Sequence, residues 1–404
     1  MATLSEAYRD NPLLPHHIIP LDFWSARSLP ESHVWTQPES FSSGEFSGEW
    51  FSLPVVDLTD PDAPELMGRA CQSWGAFQLT GHGIPVKLKE EVEAEARRLF
   101  GLPTEQKLKA LRSPGGATGY GAARISPFFQ KYMWHEGFTI MGSPEDHARE
   151  LWPHGYQRFC EVMETYQKQM KTLAEKLLPT ILKSLNIHNQ EQQVLLNWLS
   201  TNTSSSSTSK SKENTITSTT PCTALQLNSY PSCPDPNRAM GLAPHTDTFL
   251  LTILHQTQTD AGLQIRKELG GGGGGETAAV WVPVRPVAGA LVVNVGDLLH
   301  IMSNGRFPSV VHRAVVNQTR QRLSFAYFYG PPTDFTVSPL LSDHNNMMII
   351  NKSDHHHNLM ISSSTARGQR PLDVLPLYRS VTVKEYVGIK AKNLDKALSL
   401  IRII

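Results

Sequence analysis

Three side chains in this sequence have the types and the spacing to hold one metal ion: His245, Asp247 and His312. One residue, Thr246, separates the first two, and an apolar run follows them. On an extended chain residues i and i+2 point the same way, so an imidazole and a carboxylate can reach one ion from one face. His312 stands among Val310, Val311, Ala314 and Val315, in a run that reads as strand. Two imidazoles and a carboxylate on one side of an ion leave its remaining positions open, a set that suits iron(II). Alone the His-x-Asp triplet is a weak signal, because the chain has 16 histidines and a strand histidine is more often hydrogen-bonded structure than a ligand.

A second constellation strengthens the first. Arg322 and Ser324 repeat the i, i+2 spacing on a neighbouring apolar run. A guanidinium fork and a hydroxyl on one face suit a buried carboxylate. On an edge strand such an arginine would face solvent; inside an apolar strand it is costly unless it meets an anion. Tyr230, closing the run Asn228-Ser229-Tyr230, could donate its phenol to the same acid, although alone it would be ordinary packing.

Strands must position these groups. Short runs rich in β-branched and aromatic residues, bounded by Pro, Gly, Asn and Asp, predict strands over 224–230, 249–255, 262–266, 280–284, 290–295, 298–302, 309–316 and 322–329. A further strand-like run covers 53–58. Helical periodicity marks 86–100, through Leu88, Val92, Ala96 and Leu99, and 159–185, where Pro179 should kink or end the helix. Thr382 and Glu385 have capping-box spacing and open a helix expected to reach about residue 402. Closely spaced strands preceded by helices predict an α+β fold with a mainly β core, a double-stranded β-helix (jelly roll, cupin-like) with helices packed on one face. The expected organisation is an irregular lead-in over 1–50, a mostly helical region over 51–198, a low-complexity insertion over 199–222, the jelly-roll core over 223–335, and a polar insertion with a C-terminal helix over 336–404. The Ser/Thr-rich stretch 201–219, the glycine run 270–275 and the polar stretch 342–368 should be exposed insertions. His355 to His357, inside the last of these, reads as a solvated tract; His82 and His300 read as structural.

Lys plus Arg equals Asp plus Glu, which argues against a nucleic-acid or polybasic membrane partner. No apolar run is long enough to span a bilayer, and the first residues lack the apolar core of a secretory signal. Four scattered cysteines without metal-type spacing fit a reducing, cytoplasmic setting with free thiols.

Taken in order, residues 53–58, 74–85, Asn228 to Tyr230, His245 to Asp247, 294–297, His312 and Arg322 to Ser324 resemble the plant 2-oxoglutarate/iron(II)-dependent dioxygenases over most of residues 50–335. The resemblance implies that His245, Asp247 and His312 bind iron(II) and do the catalytic work. It also implies that Arg322 and Ser324, assisted by Tyr230, hold the distal carboxylate of 2-oxoglutarate, with O2 as second co-substrate and ascorbate as reductant. Segments 28–35, 119–140 and 378–387, with the tail 390–402, are similar to gibberellin 3-beta-dioxygenases. The reaction then implied is 3-beta hydroxylation of an inactive gibberellin precursor to a bioactive gibberellin, coupled to conversion of 2-oxoglutarate to succinate and CO2. For this rigid apolar acid Arg124 is the candidate carboxylate anchor, and Phe128, Phe129, Tyr132 and Trp134 are candidate walls; aromatic clusters of this kind are more often simple packing. Other members of the superfamily, a gibberellin 2-oxidase or a flavonoid oxygenase, remain alternatives, as does a catalytically silent hormone-binding β-barrel. The implied partner is a small diterpenoid acid, with no nucleic acid, no membrane and a monomeric chain.

Overall fold

The computed structural model describes residues 4–35, 52–185, 221–257, 261–268, 279–341 and 375–403. In chain order its strands are β1 (Val55–Asp57), β2 (Ala76–Thr80), β3 (Gly119–Gly121), β4 (Glu136–Ile140), β5 (Cys222–Tyr230), β6 (Leu242–His245), β7 (Leu251–Gln256), β8 (Leu263–Glu268), β9 (Ala279–Pro283), β10 (Leu291–Val295), β11 (His312–Ala314) and β12 (Arg322–Gly330). A small separate pair follows, β13 (Thr336–Val337) with β14 (Val381–Thr382). The helices include α1 (Leu4–Arg9), α2 (Ala63–Trp74), α3 (Val86–Phe100), α4 (Thr104–Lys107), α5 (Glu145–Leu151), α6 (Gln157–Lys183), α7 (Asp297–Met302) and α8 (Val383–Asn393).

Two sheets form the core, an eight-stranded one in the order β1-β2-β10-β7-β12-β5-β4-β3 and a four-stranded one in the order β6-β11-β8-β9. The period of two along each strand divides its side chains between two destinations. On β12, Leu323, Phe325, Tyr327 and Tyr329 join the large core that also takes in α2, α3 and α6. Arg322, Ser324, Ala326 and Phe328, on the other face, line the cavity between the sheets. The same division holds on β5, where Leu225 and Leu227 pack against the helices while Ala224, Gln226, Asn228 and Tyr230 face the cavity. Helix α6 lies against β7 and β12 and buries Val162, Met163, Tyr166, Met170, Leu173, Leu177 and Ile181, each large side chain contributing about 1.5–3 kcal/mol. The architecture is a double-stranded β-helix with helices on one face of the larger sheet, as the strand pattern predicts.

Several local expectations change. Residues 298–302 are helix, not strand: α7 starts after Gly296 and buries Leu298, Leu299, Ile301 and Met302. A short apolar run buried on every side has no periodicity to reveal its type. The strand around His312 is only three residues long. Pro179 does not end α6, which continues to Lys183. The C-terminal helix opens where the capping box places it, with Thr382 Oγ1 accepting from the Glu385 N–H at 3.1 Å, but it stops at Asn393 because Leu394 takes a φ of 43°. The predicted insertions over 201–219, 270–275 and 342–368, with His355 to His357, lie outside the described residues. Among the described residues no helix is long and apolar enough to cross a membrane. All four cysteines are buried and free. His82 bonds the Gly289 carbonyl at 2.9 Å and His300 the Phe307 carbonyl at 2.8 Å, so both are tied into the structure.

Candidate active site

Strands β6 and β11 are antiparallel neighbours, and their register sets His245 directly opposite His312. The two rings lie 4.3 Å apart between centroids. Asp247 follows two residues after the end of β6, in reach of both: its Oδ1 is 4.0 Å from His245 Nε2 and 3.8 Å from His312 Nε2. One ligand atom from each of the three falls within 4.8 Å of the others. Each histidine bonds through Nδ1 to the carbonyl two residues before it, His245 to Ala243 at 2.8 Å and His312 to Val310 at 3.2 Å. A carbonyl only accepts, so Nδ1 carries the proton and the Nε2 lone pair points toward Asp247. Burial, with His312 beside it, pushes the His245 pKa down to about 3, which keeps the ring neutral. Burial alone would raise Asp247, but His312 and His245, where they carry charge, and hydrogen bonds outweigh it and hold the carboxyl below its usual range. Neutral imidazoles and an ionised carboxylate are the ligand forms that a divalent metal takes.

The turn carrying His245 and Asp247 is held from behind. Asn294 Nδ2 donates to Asp247 Oδ2 at 3.2 Å, and the Asp297 N–H donates to the Asp247 carbonyl at 2.8 Å. Gly296 lets these segments approach: a Cβ there would sit 2.1 Å from the Phe249 carbonyl oxygen. The Asp297 carboxylate accepts from Ser309 Oγ at 2.6 Å, from Tyr386 Oη at 2.8 Å, and from Lys390 Nζ. Lys390, on α8, also donates to the Thr246 carbonyl at 2.8 Å. One buried ion pair thus joins the turn between two candidate ligands, the segment leading to the third, and the C-terminal helix.

Arg322 lines the same cavity and is only 3% exposed. Its Nη2 donates to Gln256 Oε1 at 2.7 Å, while Nε and Nη1 have no hydrogen-bond partner. Tyr230 is its cross-strand neighbour, with the guanidinium carbon 5.0 Å from the phenol ring centre. Gly262 makes room for this side chain, since a Cβ there would lie 2.6 Å from Arg322 Cδ. Ser324 is paired with Asn228, whose Nδ2 donates to Ser324 Oγ at 3.3 Å. His135 supports Asn228 in turn through a 2.9 Å contact.

A family model described as the 2OG-Fe(II) oxygenase superfamily matches residues 221–331, and one described as the non-haem dioxygenase in morphine synthesis N-terminal matches residues 53–156. Over its whole length the chain is 45% identical to gibberellin 3-beta-dioxygenase 1 of Pisum sativum, covering 94% of that protein. It is 44% identical to gibberellin 3-beta-dioxygenase 1 of Arabidopsis thaliana, with 99% of this chain and 98% of that one aligned. The chain belongs to the gibberellin 3-beta-dioxygenase family. Crystal structures share its fold at lower identity. One is that of JOX2 in complex with 2OG, Fe and JA (TM-score 0.62, 24% identity, 96% of this chain and 92% of that chain). Another is the dioxygenase for auxin oxidation in rice (TM-score 0.59, 24% identity, 87% and 100%).

As a gibberellin 3-beta-dioxygenase the protein is an iron(II)- and 2-oxoglutarate-dependent oxidoreductase that uses O2. The cavity fits those reagents. It offers a His-Asp-His set with its lone pairs converging and, beyond it, a buried cation with two free N–H groups and no anion among the described residues. Of the residues expected from sequence, His245, Asp247, His312, Arg322, Ser324, Tyr230, Arg124 and Phe128 all line one cavity of about 270 Å³. Phe129, Tyr132 and Trp134 are not among its lining residues. Phe129 packs on Trp35 at 5.5 Å, Tyr132 on His33 at 5.6 Å, and Trp134 donates to the Pro231 carbonyl at 3.1 Å. Sequence reasoning did not single out Gln256, Asn228, Asn294, His135, Asp297 or Lys390 for a role of its own. Asn228, Asn294 and Asp297 fall inside recognised motifs, which was the available signal; Gln256 had none.

Proposed function

We propose that this dioxygenase hydroxylates an inactive gibberellin precursor at its 3-beta position to give a bioactive gibberellin. The observation that carries this is the 45% identity over the whole chain to a gibberellin 3-beta-dioxygenase. His245, Asp247 and His312 would hold the iron, with Asn294 fixing the free oxygen of Asp247. Arg322 would receive the distal carboxylate of 2-oxoglutarate on its unpartnered Nε and Nη1, and Ser324 and Tyr230 would donate alongside. Bound iron and 2-oxoglutarate supply oxidative decarboxylation by O2 and transfer of hydroxyl to a substrate carbon. The chain's own contribution is placement. The Nδ1 anchors fix both imidazoles, the apolar walls at Ile125, Phe128, Leu242 and Val387 exclude water, and the substrate carbon is presented to the open side of the metal set. Arg124 and Phe128 are the candidates for substrate contact. Four buried free thiols support a reducing, cytoplasmic setting.

The test is to incubate the purified chain with iron(II), ascorbate, 2-oxoglutarate and a 3-deoxy gibberellin and to identify products by mass spectrometry. A 3-beta-hydroxylated gibberellin formed with succinate is expected. Succinate without that product would remove the proposed substrate and keep the enzyme class.

A further inference from the structure

The cavity also carries cationic groups outside the metal set and Arg322. Arg112 precedes β3 and Arg124 follows it, and both line the cavity. Arg112 is 3% exposed; its Nη2 donates to the Ala122 carbonyl at 2.7 Å, and its Nε is buried with no partner. Arg124 donates from Nη1 to the Gly116 carbonyl, and its guanidinium carbon lies 3.8 Å from the centre of the Tyr8 ring. Tyr8 and Asn11, from the N-terminal segment, line the cavity with them. The two guanidiniums sense each other: burial, then the Arg124 charge, push the Arg112 pKa down to about 9. Among the described residues no carboxylate acts on either of them; Tyr8 is the only acidic group that does.

Carbonyls and an aromatic face satisfy individual N–H groups but leave two positive charges in one enclosed space. A buried cation without an anion is costly, and two are worse. Arg322 sits with the metal set, where the co-substrate is accounted for, so the anion missing here belongs to the other reactant. We propose that Arg112 and Arg124, with Tyr8 alongside, form a carboxylate-binding subsite for an organic-acid substrate, with Arg112 supplying the unpartnered N–H that recognises the charge. Ile125, Phe128 and Leu242 line the same cavity, so the ligand class is a rigid apolar body that carries a carboxylate. The assignment rests on the gibberellin reading above and names how the acid is held.

Titration calorimetry of the 3-deoxy gibberellin and of its methyl ester into the full chain with 2-oxoglutarate tests it. The acid should bind the natural protein at least roughly tenfold more tightly than the ester, which has the same body without the charge. Arg112→Gln should weaken the acid roughly ten- to a hundredfold and leave the ester unchanged, and Arg112→Lys should recover part of the loss. Equal affinity for acid and ester in the natural protein overturns the subsite, as does an equal loss for both in Arg112→Gln or no saturable binding of the acid. The natural protein's acid-to-ester ratio stands even if a variant fails to fold. Acid selectivity that depends on Arg112 in an enzyme making no 3-hydroxylated product would keep the subsite and remove the 3-beta assignment. The correct product with equal acid and ester affinity would do the reverse.

Discussion

Arg322 gives this protein a charge that its own described residues do not balance. Replacing it with methionine removes a buried cation with two unpartnered N–H groups, so Arg322→Met should not lower the stability of the ligand-free chain. It should raise the KM for 2-oxoglutarate roughly a hundredfold and abolish the thermal shift that 2-oxoglutarate produces. A variant that unfolds earlier yet keeps its response to 2-oxoglutarate would refute this role. His135 makes a second prediction. Burial holds its pKa at about 4, whereas the unfolded chain titrates near its ordinary value of 6.5. Below that value the unfolded state takes up the proton first, so stability is fully present above about pH 6.5 and falls as pH drops toward 4. At pH 5 the loss from this group is about 2 kcal/mol. Urea midpoints of the natural chain and of His135→Gln at pH 7 and pH 5 would show it as a shallower pH dependence in the variant. At this scale the clustering of His245 and Asp247 was legible because i, i+2 spacing on a strand fixes direction, and Arg322 stood out because an arginine in an apolar run is buried at a cost. Gln256 and Arg112 were not, because nothing in their own neighbourhoods marks them; only distant strands bring them to the cavity.

Between residues and fold, the Asp297–Lys390 pair ties α8 to the turn that carries His245 and Asp247. Lys390→Met leaves a carboxylate buried with hydroxyl partners alone and should cost about 3–5 kcal/mol in urea unfolding. The same change should weaken iron binding, because Thr246 loses its donor; a stable variant with unaltered metal affinity would count against this role of α8. Gly296→Ala should likewise lower both the thermal midpoint and the iron affinity, since its Cβ meets the Phe249 carbonyl oxygen at 2.1 Å. Most strands of the core could be placed from short β-branched and aromatic runs bounded by Pro, Gly, Asn and Asp. Helix α7 could not, since Leu298 to Met302 is apolar apart from His300, and strands β2, β3 and β4 escaped because each is five residues or fewer.

At the scale of the whole molecule, one cavity is lined by His245, Asp247, His312 and Arg322, by Arg112 and Arg124, and by apolar walls. The class of fold followed from the count and spacing of strands, but the order β1-β2-β10-β7-β12-β5-β4-β3 did not, because sheet neighbours are set by long-range packing rather than by local pattern. The account depends most on His245, Asp247 and His312 forming the iron centre. Anaerobic titration of iron(II) into the natural chain and into Asp247→Ala, each first shown to be folded by circular dichroism, tests that directly. One ion per natural chain is expected, with affinity at least roughly a hundredfold weaker in the variant. Unchanged iron affinity in Asp247→Ala would contradict it.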